Sequence, residues 1–223
     1  MILQIVFGII CADVIATFVH WFEDTYIHFC TRIKFLKGIA NGNELHHYYP
    51  HFITSLSYWE NCIVTLILIL ILYVVLLVFF YKNFKKFLVF WLVVGVFLII
   101  IVLNHRLVHE RDCNKNKIIR FIHDLFIVGS DLHKTHHEQP TINYSVFLQP
   151  VNIVIDKLHI FRILENIIYN LTGIEPIHKK EYKSYPKTDF HREVERSDCP
   201  KKLKKEDVDI LLENLNDFYK CSI

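Results

Sequence analysis

No Cys-x-x-Cys pair occurs among the six cysteines, Cys11, Cys30, Cys62, Cys113, Cys199 and Cys221, and their spacing is irregular. A disulfide framework or a thiolate zinc site is therefore not expected. Thiols beside apolar runs serve as small hydrophobes, and reducing surroundings suit the polar part. The six glycines form neither a Walker nor a dinucleotide-binding motif, so no phosphate cradle is written into the chain. Charge of one sign is missing too. The formal net charge is +2, and bases alternate with acids, which excludes a nucleic-acid surface. There is no internal repeat and no low-complexity segment. The first apolar run has neither a basic flank nor a small-residue cleavage site, so it reads as a retained helix rather than a signal peptide. Lys-Cys-Ser-Ile fits neither prenylation nor a retention signal.

What is abundant is hydrocarbon. The composition is 52% hydrophobic and 22% charged, which rules out a disordered chain, a collagen or a coiled coil. The distribution is uneven: residues 1–104 hold six Lys/Arg and five acids, leaving 19 and 18 for residues 105–223. Residues 62–81 and 87–103 carry no charge at all, and each approaches the ~20 residues that cross a bilayer as a helix. Residues 1–22 are apolar except for Gln4, Asp13, Thr17 and His20. An intramembrane carboxyl is costly and faces a protein interior. The expected fold is an all-α integral membrane protein, a helical bundle with a histidine-rich cytosolic metal-binding cap.

Two crossings joined by Lys-Asn-Phe-Lys-Lys place residues before 62 and after 103 on one side. That side holds Arg32, Lys34, Lys37, Arg106, Arg111, Lys115, Lys117 and Arg120 near the membrane, against Lys82, Lys85 and Lys86 opposite. The positive-inside rule makes the richer side cytosolic. Residues 145–172 are apolar but broken by Pro150, Asp156, Lys157, Arg162 and Glu165, which suits an interfacial stretch. The expected division is a membrane domain over 1–176 and a polar cytosolic tail over 177–223. Within that tail Val208, Leu211, Leu212, Leu215 and Tyr219 share one helical face.

Histidine is the unusual residue, with 14 copies. Eight fall in four clusters: His20; His46 and His47; His105 and His109; His133, His136 and His137. The topology brings all four to one membrane face. His105 and His109 are four apart, so their rings leave the same helical face; His133, His136 and His137 share one stripe. Asp24 lies one turn after His20 and serves as a partner for a ring or as a further ligand, as does His51 near the second cluster. Neutral imidazole is a common ligand for iron, zinc, copper and nickel. Eight rings exceed one tetrahedral site, so more than one ion is expected. His28, His178 and His191 read as solvated or structural; His51, His123 and His159 are left open. A di-iron centre using O2 would supply the power to break an unactivated C–H bond, with the bilayer excluding water.

The ordered stretches ADVIATFVHWFEDTY (12–26), HHYYPHFIT (46–54), NHRLVH (104–109), HKTHH (133–137) and DKLHIFRILENIIYNLTG (156–173) resemble the Kua family of lipid desaturases, which includes the animal plasmanylethanolamine desaturases. The resemblance implies a non-haem di-iron site (two Fe), O2 as co-substrate and electrons from a cytochrome b5 system. It implies a membrane phospholipid substrate at the endoplasmic reticulum, converted to the vinyl ether of plasmalogens from a 1-alkyl ether lipid; plant relatives act on an acyl chain of phosphatidylglycerol. Histidines usual in the family are Leu56 and Thr141 here, and its Thr-Gly is Gln149-Pro150. Rival readings are a fatty-acyl desaturase or hydroxylase on the same centre, a metal transporter and a catalytically inactive scaffold.

Overall fold

A computed structural model describes residues 1–110, 117–118, 130–177 and 203–220. His123, His178 and His191 lie outside the described residues. Three helices are long and apolar enough to cross a membrane: α1 (Ile2–Tyr26), α4 (Tyr58–Phe79) and α6 (Leu88–Glu110). The others are α2 (Lys34–Tyr48), α3 (Phe52–Ser55), α5 (Tyr81–Lys86), α7 (Ser130–Glu138), α8 (Gln149–Lys157), α9 (Ile160–Thr172) and α10 (Lys205–Tyr219). No strand occurs among the described residues.

The spanning helices reach beyond their uncharged runs, and each extension carries chemistry. α1 continues to Tyr26, which keeps Asp24 on the same helix as His20. α6 continues through His105 and His109 to Glu110. α4 starts early because Ser57 and Glu60 form a capping box: Ser57 Oγ accepts the Glu60 N–H at 3.1 Å and the Glu60 carboxylate accepts the Ser57 N–H at 2.7 Å. Two backbone donors that the helix itself would leave unpaired are thus satisfied.

α1 and α6 pack closely through Gly8, where a Cβ would lie 2.8 Å from Val93 Cγ1 and 3.2 Å from the Phe90 carbonyl oxygen. In lipid, where hydrophobic burial drives nothing, such close approach supplies the dispersion contact that holds helices together. Ala12, Ile69, Val94, Leu98 and Ile101 form the buried seam with Val146. The other faces of α4 expose Leu70, Ile71, Val78 and Phe79, as a lipid-facing helix should.

Asp13, fully buried mid-span, shows what a costly intramembrane carboxyl does here. Both of its oxygens accept from Ser145 Oγ at 2.9 Å, and Oδ2 also accepts the Leu148 N–H at 3.3 Å. On α6, Asn104 Nδ2 donates to the Val146 carbonyl at 2.6 Å. Two spans therefore grip the loop that follows α7.

The stretch after that loop folds as α8 and α9, joined at His159 in the left-handed region (φ 51°). Phe161 stacks on Trp21 at 4.8 Å, and Trp21 Nε1–H donates to Glu165 at 3.1 Å, itself paired with Arg162 at 2.7 Å. Ile153, Val154, Ile163, Ile167 and Leu171 stay exposed. That is the amphipathic pattern of helices lying in the membrane interface.

α10 returns to the body of the protein. Leu211 and Leu215 are wholly buried among Phe29, Leu45, Tyr48, Tyr49 and Phe52. Tyr219 stacks on Phe29 at 5.3 Å, and its hydroxyl donates to Glu44 at 2.9 Å. Leu211→Ala is expected to lower stability by about 3 kcal/mol, the usual cost of a cavity at a filled leucine site. The check is thermal unfolding of the detergent-solubilised protein.

The cysteines depart from expectation in one place. Cys11 and Cys62 are free thiols, but Cys30 is disulfide-bonded. One cystine needs no repeating pattern in the sequence, and an irregular spacing does not announce it.

Candidate metal centre

Four helix ends meet on the membrane face where α1 and α6 finish. α1 brings His20 and Asp24, α2 brings His46 and His47, α6 brings His105 and His109, and α7 brings His133, His136 and His137. All eight clustered histidines come together with Asp24, and they divide into two groups. His46, His105, His109, His133 and His137 form one; His20, Asp24, His47 and His136 form the other. Within each group one ligand atom per residue lies within 4.8 Å of all the rest. His51 stands outside both, its ring 6.4 Å from that of His109. His159 is exposed and belongs to neither.

The division follows from helix geometry. Adjacent residues diverge by ~100° around the axis, so His46 and His47 point into different groups, and so do His136 and His137. His133 and His137, four apart, remain together. The stripe read from the sequence is therefore split: His136 leaves it for the Asp24 group.

In the Asp24 group the tautomers are fixed by main-chain carbonyls. His20 Nδ1–H donates to the Tyr144 carbonyl and His136 Nδ1–H to the Ile142 carbonyl, both at 2.8 Å. A carbonyl only accepts, so each neutral ring carries its proton on Nδ1 and presents a bare lone pair at Nε2. Those lone pairs face the Asp24 carboxylate: His136 Nε2 lies 3.2 Å and His20 Nε2 3.5 Å from Oδ2. None of these three atoms has a hydrogen-bond partner among the described residues, although all are buried. Asp24 Oδ1 is occupied by Asn43 Nδ2 at 2.9 Å and by His47 Nε2 at 3.2 Å. Acceptors converging on one another without a proton are repulsive unless a cation lies among them.

The five-histidine group has the same imbalance. His133 Nε2 lies 2.9 Å from His105 Nε2, 2.9 Å from His109 Nε2 and 3.0 Å from His137 Nε2. One ring nitrogen has either one proton or one lone pair, so these three contacts are not all hydrogen bonds. Both nitrogens of His46 are buried without a partner. Two nitrogens bound at right angles to one ion, each ~2.1 Å away, would be ~3.0 Å apart, close to the spacings seen. The donor set fits imidazole-binding metals.

Electrostatics favours lone pairs over protons at three of the rings. Burial pushes His46, His133 and His137 well below the usual histidine range, and the neighbouring rings push them further. His47 goes the other way: burial would lower it, but the Asp24 carboxylate outweighs burial and raises it. Neutral rings are the form that binds metal.

The lipid desaturase domain pattern matches residues 9–179. The chain belongs to the lipid desaturase family. A "probable fatty acid desaturase" of Acanthamoeba polyphaga mimivirus is 31% identical over 185 residues, covering 81% of this chain and 88% of that one. No solved structure matches. This lipid desaturase is thus a membrane oxidoreductase of a family that uses iron and O2, and the histidine groups are where its residues could hold metal.

Within the desaturase, two positions that depart from the Kua pattern accept hydrogen bonds through their backbone, and the Leu56 side chain also packs against the core around Leu211. The Leu56 carbonyl accepts from Arg106 Nη1, and the Thr141 carbonyl accepts from Arg162 Nη2 at 3.4 Å. Gln149-Pro150 begins α8, where proline at the first turn sacrifices no helical hydrogen bond.

Arg106 is a residue whose importance no motif announced beyond its place beside His105. It donates to the Thr54 carbonyl at 2.9 Å, pairs with Glu110 at 2.7 Å and lies 4.3 Å above the Tyr58 ring. It clamps α3 and the start of α4 onto the helix that carries His105 and His109. Arg106→Met is expected to cost about 3 kcal/mol, the low end for breaking a buried pair because Glu110 is partly exposed. Thermal unfolding with and without added iron measures it.

Proposed function

We propose that this desaturase holds two irons, one among His46, His105, His109, His133 and His137 and one among His20, Asp24, His47 and His136. We propose further that it introduces the vinyl-ether double bond of plasmalogens into 1-alkyl ether phospholipids. The observation that carries the metal reading is the convergence of the His20 and His136 lone pairs on Asp24 Oδ2, with no proton between them. Iron held by these residues would activate O2, the oxidant for removing two hydrogens from neighbouring carbons. The balance is one O2, two electrons and two protons consumed, with two waters and one C=C formed. A cytochrome b5 system supplies the electrons.

The protein's own residues bind and exclude. The Tyr144 and Ile142 carbonyls hold two rings in their ligating tautomer, and the Tyr144 ring packs against both, 5.7 Å from His20 and 5.0 Å from His136, with Phe161 behind it at 5.1 Å. The substrate reading is supported by the stretches 12–26, 133–137 and 156–173, which resemble the ether-lipid enzymes; the first two supply three of the four members of the Asp24 group, and the third supplies Phe161 behind Tyr144. Fatty-acyl desaturation is the second reading, favoured by the viral relative's description. The test is expression in cells lacking their own plasmanylethanolamine desaturase, followed by lipid mass spectrometry. Acid-labile vinyl ethers support the first reading; a new acyl double bond supports the second.

The positive-charge count supports a cytosolic metal face, and the family resemblance an endoplasmic-reticulum membrane, whereas the Cys30 cystine, on that same face, suits an oxidising side. Single cysteines at Asn83 and Lys134 are expected to label from opposite sides, Lys134 from the cytosol. Labelling of both from one side would break the three-span topology, and labelling of Lys134 only from outside would reverse its orientation.

A further inference from the structure

The membrane face opposite the histidines carries its own site. Where α1 begins, α4 ends and α6 starts, a cleft of about 690 Å³ opens between the helices and α5. Phe7, Leu76, Phe84 and Trp91 line it with carbon, and Gln4 and Asn83 bring the amides. Phe87 also lines it and has Lys86 Nζ 5.2 Å over its ring, while Lys82 and Lys85 stand exposed on the same short helix, α5. Among the described residues no acid neutralises these lysines. The sequence has no Asp or Glu between Glu60 and Glu110, nor before Asp13, and among the described residues these are the segments that reach this end.

We infer that the cleft and its three lysines bind a phospholipid of net negative charge from the leaflet opposite the metal centre. An intramembrane groove of carbon takes a hydrocarbon chain, and the uncompensated lysines of α5, Lys86 nearest through Phe87, take an anionic headgroup at the membrane surface. Aromatic rings at that depth match the interfacial belt. Distance separates this occupant from the reacting lipid. Phe7 precedes His20 by 13 residues and Trp91 precedes His105 by 14, so both helices put the cleft ~20 Å from the histidines at 1.5 Å per residue. One leaflet supplies only half of the ~30 Å hydrocarbon core. A chain that reacts at the histidines and stays in its own leaflet ends short of the cleft.

The experiment uses the full-length protein in detergent and the fluorescence of Trp91, which lines the cleft. Energy transfer is titrated with pyrene-labelled phosphatidylglycerol and, separately, with pyrene-labelled phosphatidylcholine; Trp91→Phe identifies the signal. Phosphatidylglycerol is expected to bind more tightly. Each Lys→Gln change should weaken it about fivefold, and the triple change at Lys82, Lys85 and Lys86 should bring it to the phosphatidylcholine level. The preference should also shrink with salt. Val6→Phe, which fills the cleft, should weaken both lipids. Equal binding of the two lipids, or a preference that survives in the triple variant, overturns the inference. The lysines are exposed and make no ion pair among the described residues, so the triple variant keeps its fold, and an unchanged unfolding midpoint verifies that.

Discussion

Replacing His133 with alanine is expected to abolish lipid desaturation, with a loss of more than about a hundredfold, the upper end of what losing even an outer partner of a metal ligand costs. His133 is the hub of the five-histidine group, its Nε2 within 3.0 Å of three other ring nitrogens. Removing it takes away a donor and leaves the rings of His105, His109 and His137 without the atom they surround. The protein should still insert, because α1, α4 and α6 hold together through Gly8, Ala12 and Val94, well down the spans. His159→Asn provides the contrast: His159 is exposed, outside both groups and at φ 51°, a conformation asparagine tolerates. Product lipids by mass spectrometry and iron by elemental analysis read both variants. A fully active His133→Ala protein would remove the five-histidine group from the chemistry.

Much of this architecture is legible in the sequence because membranes enforce a simple rule. Every backbone group must be satisfied in hydrocarbon, so long uncharged runs become helices, and the runs at 62–81 and 87–103 needed no further information. Gathering the histidines also follows from topology, since an even number of crossings returns the chain to one face. What the periodicity did not show is how the rings divide. One stripe over His133, His136 and His137 was the natural reading of spacing, yet the ~100° between neighbours sends His136 to Asp24 and His137 to His46. That outcome depends on where α2 and α7 lie relative to each other, a property of tertiary packing. The same is true of Asp13. Its cost in lipid signals an interior partner, but Ser145 stands 132 residues away along the chain, and no local pattern connects them. The Cys30 cystine likewise had no spacing signature.

The sharpest test of the second group is Asp24→Asn, because the expected effects on metal and on stability have opposite signs. The aspartate offers acceptors only, and its Oδ2 faces two lone pairs, those of His20 and His136. With a cation present that arrangement is favourable; without one it is three buried acceptors and no donor. An asparagine keeps the shape and turns Oδ2 into an amide that donates. Its remaining oxygen still accepts from Asn43, which lies 2.9 Å from Oδ1 in the native protein. The new amide hydrogens then reach the lone pairs that the tautomers of His20 and His136 leave bare. At alkaline pH, where His47 is neutral and no charge pair with Asp24 is forfeited, metal-free Asp24→Asn protein should therefore be more stable than metal-free wild type by about 1 kcal/mol, the net worth of a hydrogen bond made where none was possible. Bound iron should fall from the proposed two equivalents to about one, since the five-histidine group does not use Asp24, and desaturation should be lost. A residue that merely braced the fold would show the reverse, lower stability with metal retained. If Asp24→Asn keeps both irons, Asp24 is a bystander and the second group reduces to three imidazoles.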